Sequence, residues 1–229
     1  MQAPKSFRYK TLAASVAAAA LLAAAGTASA GVIIGATSAV IDTGGPGFGS
    51  INDTLNQAGL LTNYTSGVTD FDSYIAGNPL HSSQFVGFEW FSESGLNAAT
   101  VTYNLGSVQQ IDAVALWNDE ASGIGLLELL VSSDGMTFTS VASGLTPTDN
   151  VAFPTPYGAD VFNIGSVSAQ YVRFAATRCP QPVDNNFNAC AIGEVAFRVA
   201  DAGTVPEPAS LALVGLGLLG ASVARRRRA

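Results

Sequence analysis

Few residues in this chain have the chemistry for a reaction, and their spacing argues against one. The single histidine, His81, is followed by Ser82 and Ser83. A nucleophile and its base meet across a fold rather than along adjacent positions, and the chain has no G-x-S-x-G turn. Carboxylates recur in pairs: Asp70/Asp72, Glu89/Glu93 and Asp119/Glu120. Glycoside hydrolysis needs two carboxyls set across a cleft, but so acidic a chain produces such pairs by chance. Asp70-Phe71-Asp72-Ser73-Tyr74-Ile75 begins like a calcium loop, yet Ile75 stands where an EF-hand requires glycine. No catalytic set remains, and the expectation is a protein that is not an enzyme. Cys179 and Cys190 are the only cysteines. In an oxidising compartment two cysteines read as one disulfide. A metal site there would need further ligands, and His81 is far away in sequence.

The two ends say where these residues are delivered. Lys5, Arg8 and Lys10 precede an apolar run from Leu12 to Ala25, which closes with Ala28-Ser29-Ala30. A basic start, a short apolar middle and small residues at Ala28 and Ala30 make residues 1–30 a secretory signal peptide, with Gly31 the first mature residue and signal peptidase the first partner. At the other end, Val205-Pro206-Glu207-Pro208 is followed by an apolar stretch from Leu211 to Ala224 and by Arg225–Arg228. The stretch is short but long enough to enter a bilayer, and the arginines belong on the cytoplasmic side. Gly215-Leu216-Gly217-Leu218-Leu219-Gly220 matches a dinucleotide fingerprint in letters. It lacks the strand–helix context that motif needs, and suits close helix packing in lipid better.

Removing both ends changes the charge. The whole chain has a net charge of −7, but residues 31–204 hold sixteen acids against Arg173, Arg178 and Arg198, a net of −13 with no lysine. Such a body lacks the basic face that nucleic acid requires. It is long enough for one domain with a core.

The elements that position the candidates follow from pattern. Residues 31–50, with Gly44-Gly45-Pro46-Gly47, read as an irregular lead-in. Ser50 and Asp53 form a helix-start pair, predicting a short helix to about Gln57. Strands are expected at Thr100–Leu105, Ile111–Trp117, Leu126–Ser132, Thr137–Val141, Asp160–Ile164, Tyr171–Ala175 and Glu194–Val199. A polar turn is expected at Gly106–Gln110, and a hairpin around Ser133-Asp134-Gly135-Met136. Short strands between Gly, Pro and Asn turns predict an all-β antiparallel sandwich. The expected helices are a signal helix at the start and a hydrophobic helix at the end. Domain bounds follow: 1–30 signal, 31–84 lead-in joined to the sandwich, 85–200 sandwich core, 201–229 tail.

Two resemblances add to this reading. The Pro-Glu-Pro motif, short span and terminal arginine cluster resemble the PEP-CTERM sorting signal. That family implies a second partner, an exosortase-type enzyme that cuts near Val205–Pro208. It also implies a protein held briefly in the inner membrane through its span, then placed at the cell surface or in the extracellular matrix. Within the body, Val101-Thr102-Tyr103-Asn104-Leu105-Gly106-Ser107, Ile111-Asp112-Ala113-Val114-Ala115-Leu116-Trp117, Val131–Phe138, Tyr171-Val172-Arg173-Phe174 and Ile192-Gly193-Glu194-Val195 resemble, in that order, the discoidin or factor 5/8 type C family of galactose-binding-like jelly rolls. The resemblance implies a jelly-roll sandwich and two kinds of site. One is a structural Ca²⁺ held by Glu194 with early-loop oxygens, for which Asp70 and Asp72 are candidates. The other is a carbohydrate site on end loops, where sugars need an aromatic face and planar polar groups. Its candidates are Asn118, Asp119 and Glu120 beside Trp117, then Tyr157, and the Arg178–Cys190 loop with Asn185, Asn186, Phe187 and Asn188. The acidic surface leaves neutral polysaccharide as the expected ligand. The rival expectation is a structural or adhesive envelope or biofilm protein without a small-ligand site, in which Trp90 and Trp117 are core residues.

Overall fold

The structure is a computed structural model and describes residues 31–84, 86–150, 154–181 and 187–200. The strands are β1 (Val32–Ile34), β2 (Ser38–Thr43), β3 (Phe48–Gly49), β4 (Trp90–Phe91), β5 (Ala98–Asn118), β6 (Leu126–Ser132), β7 (Thr139–Leu145), β8 (Asp160–Thr177) and β9 (Ala191–Val199), all paired antiparallel. A 3₁₀ turn at Ile51–Thr54 and one short helix, α1 (Phe71–Ala76), interrupt them. The described body is thus all-β, as its strand pattern predicts.

Two long strands organise it. β5 and β8 pair along most of their length, with register shifts between Asn104 and Gln109 and between Ile111 and Ala113. Gly106 and Gly165 take positive φ at these shifts, where a side chain would be strained. Each long strand therefore serves two leaves. In the first leaf, the start of β5 lies between β2 and the end of β8, and β6 and β7 follow. In the second, β9 runs beside the end of β5, and β1 and β4 pair with its far edge.

The leaves pack face to face. Val101, Tyr103, Leu127, Leu129, Val172 and Phe174 share one core with Val114, Leu116, Val195 and Phe197. The Tyr103 ring meets both Phe174 and Phe197. Each such side chain contributes roughly 1.5–3 kcal/mol by leaving water. The outer face of the second leaf is also covered. Ala113, Ala115, Trp117 and Ala196 lie under Ile33, Leu60, Tyr64 and Phe71. That double burial explains why residues 113–117 are apolar without alternation.

Several local expectations are corrected. The segment expected to be an irregular lead-in forms β1, β2 and β3, and β2 adds to the first leaf. The expected turn at Gly106–Gln110 lies within β5, and the two strands expected at Asp160–Ile164 and Tyr171–Ala175 are one strand, β8. The expected helix after Ser50 is a single 3₁₀ turn, although its capping pair is as read: Asn52 N–H donates to Ser50 Oγ (3.2 Å) and Ser50 N–H to Asp53 Oδ2 (3.1 Å). Residues 70–75, which the sequence already sets apart from an EF-hand by Ile75, enter a helix instead: Asp70 caps α1 by accepting from Ser73 N–H at 2.7 Å. The hairpin at 133–136 is present. Asp134 Oδ1 accepts from Met136 and Thr137 N–H and from Ser132 Oγ, which holds its pKa down at about 2.

The expected signal peptide at 1–30, the 201–229 tail and its glycine motif lie outside the described residues. Among those described, no helix is long and apolar enough to cross a membrane.

Candidate functional site

β5 ends at Asn118, and residues 119–125 turn the chain into β6. Asn118 is fully buried. Its Oδ1 accepts from Ile124 N–H at 2.8 Å. Its Nδ2 donates to Gln181 Oε1 (2.7 Å) and Thr148 O (2.9 Å), and Gln181 Nε2 donates to Pro147 O (2.8 Å). Its hydrogen-bonding capacity is spent on three chain segments, so it fixes the loop and is not presented to solvent. Asp119 Oδ1 accepts from Ala121 and Ser122 N–H. Ser122 then donates to Phe187 O and accepts from Ala191 N–H. These bonds tie the loop to the Cys179–Cys190 segment, where the disulfide is formed.

Beneath this loop lies a buried acidic cluster. Glu89, Asp119 and Glu120 are each at most 5% exposed. Each offers a carboxylate oxygen within 4.8 Å of the others. Glu89 precedes β4, while Asp119 and Glu120 follow β5, so the pairing of β4 and β5 with β9 brings them together. Tyr157 donates to Glu89 Oε1 at 2.6 Å. Burial, with Asp119 and Glu120 nearby, pushes the Glu89 carboxyl up to about 10. Burial raises Asp119 and Glu120 as well, and the Asp119 charge raises Glu120 further.

His81 flanks the cluster and is also buried. Its Nδ1 lies 2.7 Å from Ser82 O, and since a carbonyl can only accept, Nδ1 carries the proton. Burial lowers its pKa to about 4. Its 3.5 Å approach to Glu89 Oε1 is therefore a contact between neutral groups at neutral pH. A Cβ on Gly59 would fall 2.0 Å from His81 Nε2, so glycine is required there. Glu89 and His81 belong to this site, although the sequence, which offers both as candidates for catalysis, gives no reason to place either beside Asp119 and Glu120. The available signal was a lone acid inside Phe88-Glu89-Trp90-Phe91, where an ionised group must find a partner.

The other expected residues are spread differently. Asp119, Glu120 and Tyr157 are buried together, while Arg178 and Asn188 are exposed on the disulfide segment. Phe187, 38% exposed, packs edge-on against Phe91. Residues 93–97 complete this surface: Gly95 N–H donates to Asn188 O, and Cys179 N–H to Asn97 O. Asn185 and Asn186 lie outside the described residues.

Glu194, Asp70 and Asp72 are not gathered into one group. Glu194 is buried on β9 and accepts from Gln57 N–H at 2.7 Å. Burial pushes its pKa up to about 8. Asp70 caps α1, and Asp72, on that helix, pairs with Arg198 at 2.8 Å. Trp90 and Trp117 are fully buried, each donating its indole N–H to a proline carbonyl, Pro46 and Pro79 respectively.

Residues 204–228 match the PEP-CTERM protein-sorting motif. The PEP-CTERM tail marks the chain as a substrate of exosortase-type sorting, and hence as exported. No curated protein matches the chain. Among solved structures, the body is similar to a chitosan-binding module of a chitosanase/glucanase from Paenibacillus sp. IK-5. That pair shares 21% identity, covers 73% of this chain and 98% of the module, and has a TM-score of 0.47. It is also similar to the module CBM32-5 of Clostridium perfringens, solved with GalNAc-β-1,3-galactose, at 15% identity, 71% and 94% coverage and a TM-score of 0.46. A third is the CBM32 of AlyQ, solved with 4,5-unsaturated mannuronic acid, at 16% identity, 72% and 96% coverage and a TM-score of 0.42.

Proposed function

We propose that the PEP-CTERM chain is a non-enzymatic protein of the cell surface or extracellular matrix whose β-sandwich binds neutral polysaccharide. The observation that carries this reading is the exposed surface on the disulfide segment. Arg178, Phe187 and Asn188 present a cation, an aromatic ring and an amide to solvent, and the Cys179–Cys190 bond holds the segment that bears them. An aromatic face with planar polar groups suits a sugar ring, and a pre-held loop lowers the ordering cost of binding. With a body charge of −13, polyanions are repelled.

A glycan array probed with the purified full chain, with and without EDTA, tests this. Neutral glycans bound by the wild type and at least tenfold more weakly by Phe187→Ala are expected. No glycan bound under either condition rejects it. The second reading, a structural or adhesive envelope protein without a small-ligand site, is supported by the burial of Asn118, Asp119, Glu120 and Tyr157.

A further inference from the structure

Clustering of acids alone calls for no ligand, but the oxygens of this cluster do. Glu89 Oε2, Asp119 Oδ2 and Glu120 Oε2 are each buried and without a hydrogen-bond partner. The first two carboxylates use their other oxygen to hold the fold: Glu89 Oε1 accepts from Tyr157, and Asp119 Oδ1 from two backbone N–H groups. An unpaired buried carboxylate is expensive, and three adjoining ones more so.

No basic side chain relieves them. Residues 31–204 have three arginines. Arg173 pairs with Asp42, Arg198 with Asp72 and Asp112, and Arg178 is exposed. His81 directs its one N–H to Ser82 O. If the cluster ionises, no side chain of the protein can neutralise it, and the positive charge has to be a bound cation in place of shared protons.

We propose that Glu89, Asp119 and Glu120 bind a divalent cation of the Ca²⁺ type beneath the 119–125 loop. An all-carboxylate donor set is hard, which suits Ca²⁺ better than Zn²⁺. His81 turns its protonated Nδ1 towards Glu89 and its Nε2 towards Gly59, so the ring offers the cluster no lone pair. Oxygens within 4.8 Å of one another match ligands on opposite sides of an ion at Ca–O distances of about 2.4 Å. Ca²⁺ takes six to eight oxygens, so backbone carbonyls or water complete the shell. The ion would join the loop after β5 to β4, under the surface that carries Phe187. The site is distinct from Glu194 and needs no glycan, so it stands whether or not a sugar binds.

The test is calorimetric titration of the EDTA-stripped full chain with Ca²⁺, Mg²⁺ and Mn²⁺, with melting curves in parallel. Ca²⁺ should bind and raise Tm. Glu120→Gln, an isosteric change that removes a charge, should weaken Ca²⁺ binding at least tenfold, and Glu194→Gln should leave that binding in place. Glu89→Gln reads the same site from a second element should Glu120→Gln fail to fold. Wild-type protein that binds none of the three ions at millimolar concentration overturns the proposal without any variant, leaving a cluster held by shared protons. Binding lost in Glu194→Gln but kept in Glu89→Gln and Glu120→Gln overturns it by moving the ion to β9.

Discussion

At the scale of single residues, buried polar groups decide more here than exposed ones. Asn118 shows why a residue suited to a sugar hydroxyl can be wholly engaged by its own chain. Asn118→Ala would orphan Ile124 N–H and Gln181 Oε1, both buried. At about 1–3 kcal/mol for each orphaned group, the expected loss is about 2–6 kcal/mol, measurable by urea denaturation, with the loop loosened. A loss below about 0.5 kcal/mol would mean water replaces the amide. Glu194 sets a pH dependence. Its pKa is about 8 in the fold against an ordinary 4.5, because burial disfavours the charge. A raised folded pKa means that the native state holds the proton more tightly than the unfolded chain. This contribution is full below about pH 4.5 and is lost as pH rises towards 8. In EDTA, wild-type Tm should fall over that window, and Glu194→Gln, which can still accept from Gln57 N–H, should flatten part of the fall. A slope unchanged by the substitution would assign the effect to other groups.

At the scale of elements, the disulfide segment is held twice: covalently by Cys179–Cys190, and by the bonds from Ser122 and to Gln181. Replacing both cysteines by serine should cost about 2–3 kcal/mol from the loop entropy restored to the unfolded chain. Because the hydrogen bonds remain, the domain should still fold, with its melting temperature lowered and residues 187–190 exchanging amide protons faster. Loss of all cooperative unfolding would show that the bond, not the packing, specifies the loop. The strands that alternate, or that are buried on both faces, were legible in sequence because period and apolarity follow from which faces meet the core. Three elements were not. β1 to β3 are short, partly exposed and separated by glycine-containing turns, so their pairing depends on partners far along the chain. The continuity of β5 through Gly106–Gln110 was hidden because a bulge in a long strand and a turn between two strands use the same glycine and polar residues. The acidic cluster was half visible: Asp119 and Glu120 stood out as neighbours, but Glu89 joins them only through the pairing of β4 and β5 with β9.

At the scale of the whole molecule, charge and address are one question. Seven of the ten basic residues sit in the first ten residues and the last four before Ala229, so the sorting tail and the segment expected to be a signal peptide carry most of the positive charge. The whole chain has a net of −7 and residues 31–204 a net of −13. Removal of both ends would therefore leave a far more acidic protein, well suited to staying soluble and repelled by anionic polymers. The change can be read directly. Protein recovered from the producing cells should have an intact mass beginning at Gly31 and ending near Val205–Pro208, and should focus at a lower pH than the unprocessed chain. A mass beginning at Gly31 but retaining Arg225–Arg228 would instead describe a protein anchored through residues 211–224. Its sandwich would then act at the membrane rather than beyond it, and any polysaccharide it binds would have to be drawn to the cell that made it.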